Sequence, residues 1–213
     1  SSDFAGPYVG IQVGAVGLEL DAKNTDGNGS ITKAKGGVVE MMAGIDLGYA
    51  IPVNDNVVIG VGVSWVPLEA DLIGTTDGSG GEGSASGDTA SDPTKVTVAL
   101  GDHYTIYLQP TYAISDTAAV FAKVGYATAE VEVVGQTLVS KPDDIDGTTT
   151  SIGTKVNLAN GMYIQSEAGI TSYNEIKGTG AQEAGSAGGA GLNGSASADP
   201  TLAFGIVTIG MKF

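Results

Sequence analysis

His103 is the only histidine in the chain, and its ordinary titration range suits proton transfer near neutral pH. As a catalytic base it needs a nucleophile within reach and a third group to orient it. Its neighbour Asp102 falls on the opposite face of any extended segment, because successive strand side chains alternate. No cysteine is available as a thiolate nucleophile or metal ligand. The expected role of His103 is an interior hydrogen-bonded side chain, with no catalytic residue anywhere in the chain.

Oxygen ligands come in two clusters. Asn24, Asp26, Asn28 and Ser30 follow the first positions of an EF-hand calcium loop, but its twelfth position needs a bidentate Glu and Lys35 stands there. Asp143, Asp144 and Asp146 form a second cluster without complete ligand spacing. Solvated turn chemistry is the reading for both. No cofactor is expected; the weak metal candidates are Asn24, Asp26, Asn28, Asp144 and Asp146, for Ca²⁺ or Mg²⁺ at acidic loops.

The elements that must position these residues follow from composition and periodicity. The formal net charge is −15, all nine basic residues are lysine, and there are 34 glycines among 213 residues. A nucleic-acid binder needs a basic patch, which this chain lacks. Mean hydropathy is nevertheless +0.14. The richest apolar run, Val57–Val66, is far short of the ~18 residues of a spanning helix. Helical membrane proteins are excluded; strand-built ones are not.

Eight segments alternate with a period of two and read as strands: 8–20, 37–51, 57–71, 95–114, 119–134, 149–158, 162–175 and 201–213. Short turns at 52–56, 115–117 and 159–161 alternate with long Gly/Ser/Thr/Asp/Ala connections at about 21–35, 72–94, 135–148 and 177–200. All long connections therefore fall at one end of an up-and-down antiparallel sheet, and the chain reads as one domain over 1–213.

The two faces of each strand differ. Val57, Ile59, Val61, Val63 and Trp65 share one face; Gly60, Gly62 and Ser64 share the other. Val39, Met41, Ala43, Ile45, Leu47 and Tyr49 likewise oppose Glu40, Met42, Gly44, Asp46 and Gly48. The apolar faces run uncharged for about the ten residues of a tilted membrane strand. The polar faces carry Glu40, Asp46 and Glu167 against Lys123, Lys155 and Lys212. Three acids against three bases suit a closed interior, where an unpaired charge costs several kcal/mol. His103, Tyr107, Gln109 and Gln165 complete the expected interior network. Tyr49, Trp65, Tyr104, Tyr112 and Tyr126 stand on the apolar side as interface aromatics. An open edge in lipid would leave backbone groups unsatisfied, so the sheet must close.

This pattern, with the terminal run from Thr208 to Phe213, resembles a small outer-membrane barrel of the OmpA/OmpX/Opa type. The resemblance implies an all-β, eight-stranded antiparallel up-and-down transmembrane β-barrel with short periplasmic turns and four long external loops. It implies that Val207, Ile209, Met211 and Phe213, at two-residue steps, form the signal read by the barrel-assembly machinery. It also implies residence in the bacterial outer membrane with loops facing out, and contact with lipid and lipopolysaccharide. Ser1 reads as a mature or trimmed start. The barrel is expected to take up these 213 residues, leaving no room among them for the peptidoglycan-binding domain that some relatives append. Outer-membrane lipases and palmitoyl transferases share the architecture but need a polar constellation that this chain does not offer.

The expected function is a structural, surface-presenting barrel without enzymatic activity, its loops serving adhesion, recognition or self-association. One alternative is a narrow channel for water or small solutes, because Gly10, Gly14, Gly44, Gly48, Gly60, Gly62, Gly125 and Gly153 leave interior space. Another is a soluble lipocalin-like ligand-binding barrel, which requires the opposite polarity, apolar inside and charged outside.

Overall fold

The computed structural model describes residues 2–25, 31–67, 70–75, 95–134, 144–180 and 194–213. After a 3₁₀ turn at Ser2–Phe4 come β1 (Gly6–Thr25), β2 (Ile31–Pro52), β3 (Val57–Val66), β4 (Ala70–Thr75) and β5 (Lys95–Ala113). Then follow β6 (Ala118–Val134), β7 (Asp144–Asn157), β8 (Met162–Tyr173), β9 (Ile176–Gly180) and β10 (Gly194–Lys212). All pairings are antiparallel, and β1 pairs with β10 from Tyr8↔Lys212 to Thr25↔Ser195, which closes the sheet. β3 and β4 both pair with β5, and β8 and β9 both pair with β10. Ten strands therefore make eight staves, and the fold is a closed eight-stranded antiparallel barrel.

The short turns are built from side chains that replace strand partners. Asn54 Oδ1 accepts from the backbone N–H of Asn56 and Val57, both at 2.9 Å. Ser115 Oγ accepts from Ala118 N–H at 3.0 Å. Asn160 (φ 63°) and Gly161 (φ 77°) reverse the chain in the left-handed region, which Asn and Gly enter at least cost.

Several strands run further than their composition suggests. β1 continues to Thr25 and β2 starts at Ile31, so most of 21–35 is paired sheet. β10 starts at Gly194 and pairs with β9 across 176–180, which takes much of 177–200 out of the loop. β4 extends into 72–94 and β7 starts at Asp144. Lys23, Lys33 and Asp199 stand exposed on these extensions, and the Gly/Ser/Thr/Asp/Ala composition hides the usual strand signal; the backbone ladder itself supplies the pairing.

Val61, Leu108, Ile164 and Val207 are among the many exposed apolar side chains on the outer wall. Inside, polar and charged residues are buried on the same staves. A soluble lipocalin-like barrel requires the reverse, and that alternative is ruled out for the band below Trp65. Toward the long-loop end the arrangement inverts. Glu19, Lys23, Lys33, Glu130, Thr148, Ser172 and Asp199 are exposed there. The inward positions hold a buried apolar cluster that includes Val16, Leu18, Met42, Val66, Ile145, Leu202 and Ile206.

Candidate functional site in the barrel interior

The inward residues of the apolar-walled band form several hydrogen-bonded groups, with cation–π contacts from Lys123 and Lys155 beside them. β2 places Asp46, 1% exposed, where the Tyr107 hydroxyl of β5 donates to its Oδ1 at 2.6 Å. With that proton committed, the Tyr8 hydroxyl of β1 is the donor in its 2.9 Å contact with Tyr107 Oη. β6 and β8 bring Lys123 Nζ 2.7 Å from Glu167 Oε2, both side chains almost wholly buried. Ser151 donates to Glu167 Oε1 at 2.6 Å, so both carboxylate oxygens are occupied. The Lys123 ammonium also lies 4.3 Å from the Tyr107 ring centre. Lys155 Nζ sits over the rings of Tyr163 at 3.9 Å and Tyr8 at 4.8 Å, which hold a cation by their negative π-faces. Gln109 Nε2 reaches Gln165 Oε1 at 3.4 Å, and Gln165 in turn donates to Glu167 at 3.4 Å.

Two of the six charged side chains assigned to the interior lie outside these groups. Glu40 is exposed, beyond Met42 on the way to the long-loop end. Lys212 is only half-buried at the short-turn end, where its Nζ donates to the backbone oxygen of Asp3. One acid and one base leave together, so the buried set is still balanced: Asp46 and Glu167 against Lys123 and Lys155. Glu40 lies on the stretch of β2 above Ile45↔Trp65, where pairing with β3 has ended, and Lys212 lies at the short-turn end; alternation alone encodes neither.

His103 lies above the ion pair, with Nδ1 2.6 Å from Tyr173 Oη and Nε2 2.9 Å from Thr105 Oγ1. Both ring nitrogens are thereby occupied, and neither partner is a carboxylate. On the outer wall, Tyr49, Tyr104, Tyr112 and Tyr126 are exposed, and Trp65 stacks on Tyr104 with ring centres 6.4 Å apart. Val207, Ile209, Met211 and Phe213 all face outward. Of the metal candidates, Asp26 and Asn28 lie outside the described residues, and Asn24 lies in β1. Asp144 is exposed, and Asp146 accepts from Asn174 Nδ2 at 2.6 Å. Among the described residues no group of three or more acidic or histidine side chains could hold a metal ion.

The interior glycines do not leave open space. A Cβ at Gly48 would collide with the Tyr8 ring, one at Gly62 with Tyr107, and one at Gly153 with Phe121. The rings lie flat across glycines on neighbouring staves, so the missing side chains are what lets large aromatics fit inside eight strands. The expectation of spare room at these positions is corrected accordingly.

Sequence reasoning missed three components. Tyr8, Gln12 and Tyr163 belong to the interior; each stands on the polar-face parity, which was the available signal. The second is the Ser2–Phe4 turn: Phe4 is 2% exposed and packs with Tyr8, Ala50, Val58 and Tyr163 across the short-turn end. Asn157 Nδ2 and Lys212 both donate to Asp3 O and hold that turn in place. The third is the apolar cluster toward the long loops.

The family described as outer membrane protein beta-barrel domain matches residues 1–194. This chain belongs to that family. Its solved neighbours carry the same fold. OprG from Pseudomonas aeruginosa aligns with a TM-score of 0.59 at 13% identity, over 98% of this chain and 97% of that one. AlkL, determined in DMPC lipid bilayers, gives 0.54 at 16% identity, over 98% and 92%. The outer-membrane protease OmpT from Escherichia coli gives 0.54 at 9% identity, over 98% and 97%. At these identities the likeness is one of architecture. No curated protein matches the chain in sequence.

Proposed function

We propose that this outer-membrane barrel is a non-conducting, structural anchor that presents its long-loop end at the cell surface for adhesion or recognition. The observation that carries this reading is the filled interior. Lys123–Glu167 and the Tyr8–Tyr107–Asp46 chain cross the middle of the barrel, and Phe4 covers the short-turn end. A conducting path would have to break a buried ion pair, which costs about 3–5 kcal/mol when one partner is lost.

The strand extensions support surface presentation, because Lys23, Lys33 and Asp199 stand exposed on them where the band below is apolar. Lipopolysaccharide, the barrel-assembly machinery and neighbouring copies are the partners this reading assigns, with weak Ca²⁺ or Mg²⁺ bridging at acidic loops. The occupied ring nitrogens of His103 favour a structural role for it and no enzymatic activity. Planar-bilayer recording of the refolded chain tests the anchor directly: silence is expected, and steady single-channel steps would establish the channel instead. Orientation is tested by Thr148→Cys, the sole cysteine in that variant. Labelling by an impermeant maleimide on intact cells is expected, and protection until lysis would reverse the topology.

A further inference from the structure

The two buried lysines are held in different ways. Lys123 Nζ touches Glu167 at 2.7 Å. Lys155 is 4% exposed, yet among the described residues its ammonium has no hydrogen bond and no ion pair. It has the ring faces of Tyr163 at 3.9 Å and Tyr8 at 4.8 Å. An ammonium carries three N–H donors and no acceptor. Two ring faces can engage two of those donors, so at least one N–H is left needing an oxygen, and a buried charge without one is costly.

There is space for that oxygen. The side-chain polar atoms that are fully enclosed and unpartnered among the described residues are Trp65 Nε1, Gln109 Oε1, Tyr163 Oη and Thr208 Oγ1. Lys155 Nζ is unpartnered but is not one of these enclosed atoms, so it borders open interior volume. The strand register says what lies beyond. Asp46, Gly10, Gly210 and Tyr163 form one cross-strand row over β2, β1, β10 and β8. Because the middle two are glycine, the Tyr163 ring lies across Gly210 and its hydroxyl reaches Gly10. Lys155 Nζ, seated on that ring, is thereby held along the row that ends at Asp46. Asp46 is also the carboxylate whose field acts on Lys155. Tyr107 takes one acceptor site on it, at Oδ1, of the roughly four that an ionised carboxylate offers.

The ligand on Lys155 must accept from an ammonium. A small anion does so, but Asp46 and Glu167 already balance Lys123 and Lys155, and an added anion would leave that enclosed set with an uncompensated charge. Water accepts from Lys155 and still donates towards Asp46, and buried water characteristically serves polar groups that lack a protein partner. We infer that Lys155 binds ordered water and forms with Asp46 a water-separated ion pair, on the short-turn side of the direct Lys123–Glu167 contact. The inference concerns the interior alone and holds whether or not the barrel conducts.

A crystal structure of the full chain grown in sodium bromide, at a resolution that shows individual waters, tests this. Water density within hydrogen-bond distance of Lys155 Nζ is expected, with no anomalous bromide signal there. Bromide at Nζ would make the ligand an anion and overturn the assignment of water. An ammonium resting directly on Asp46, or no density beside Nζ, would overturn the site itself. Lys155→Met removes the donor and should lose that water while heat-modifiable gel mobility is kept. Density that persists in the variant would show that other groups hold the water, and it would overturn the role of Lys155. If the variant does not fold, the structure of the unaltered chain decides alone.

Discussion

Below the Trp65–Tyr104 stack, the staves turn Val61, Leu108 and Ile164 outward and Asp46, Lys123 and Glu167 inward. Toward the long-loop end, β1 and β10 turn Glu19 and Asp199 outward and Leu18 and Leu202 inward. The backbone and the alternation are unchanged between the two; what differs is the surrounding medium. In hydrocarbon the outer wall must be apolar, and the interior, screened from lipid by the closed sheet, needs only to satisfy its own polar groups. In water the outer wall can be charged, and the interior becomes an ordinary apolar core held by the hydrophobic effect. The outer wall stays apolar as far as Met41 and Val39, beside the inward Met42 and Val38, so the apolar interior begins within the apolar-walled band and the charged wall follows it; the two regions are stabilised by different forces.

The largest expected effect strikes the lower region. Glu167→Gln leaves the Lys123 ammonium buried without its counter-charge and should destabilise the barrel by about 3–5 kcal/mol in urea unfolding from lipid vesicles. Adding Lys123→Met should recover most of that loss, because the uncompensated charge is then gone. A double variant as unstable as the single one would show that the ion pair is not what Glu167 supplies.

Leu202→Ala addresses the upper region and should cost about 2–5 kcal/mol at the site of the cavity it leaves. Its signature is regional: amide exchange should accelerate in β1 and β10 near Leu18 and Leu202 and stay slow around Lys123 and Glu167. Uniform acceleration would mean that the two regions form one cooperative unit.

Outer-wall arginines read the medium itself. Val61→Arg should cost about 2–4 kcal/mol, as for a charge facing lipid near the bilayer midplane. Thr148→Arg, on water-facing wall, should stay within about 0.5 kcal/mol. Equal costs would erase the boundary drawn here.

The smallest effect concerns the exposed pair beyond β8. Lys177, 2.9 Å from Glu175, holds the Glu175 carboxyl below its usual range by a hydrogen bond, with Ser197 adding to it. A carboxyl whose folded value is depressed contributes stability above its unfolded value and loses it as pH falls through the folded value. Titration through and below the carboxylate range should therefore loosen β9, seen as faster exchange at Ile176 and Lys177, without shifting the unfolding midpoint of the barrel. A shift of that midpoint in wild type that Glu175→Gln removes would show that the pair matters globally.

Much of this architecture was legible in residue order, and the limits are instructive. The stave count, the short turns and the lipid-facing rows of Val57–Trp65 and Val207–Phe213 follow from alternation, which is a local property of any strand. Glu40 and Lys212 share the inward parity with Asp46 and Lys123, yet Glu40 is exposed on the stretch of β2 beyond its last pair with β3, and Lys212 lies at the short-turn end. Parity names a face; it does not say whether that face is covered. The interior glycines misled in a similar way, because spare volume on one stave is filled by a ring from another.

By itself, then, the order of residues determined that the chain forms strands, that they are antiparallel and closed, and which side of the band meets lipid. It could do so because each of these depends on neighbours one or two positions away. Only the tertiary structure decided that Tyr107 meets Asp46 across 61 positions and Lys123 meets Glu167 across 44. It alone placed Ser2–Phe4 inside the short-turn end and gathered Val16, Leu18, Leu202 and Ile206 into one cluster in the barrel's upper interior. Those outcomes depend on the register and closure of all eight staves together, which bring distant residues to the same depth, and no short window of sequence contains that information.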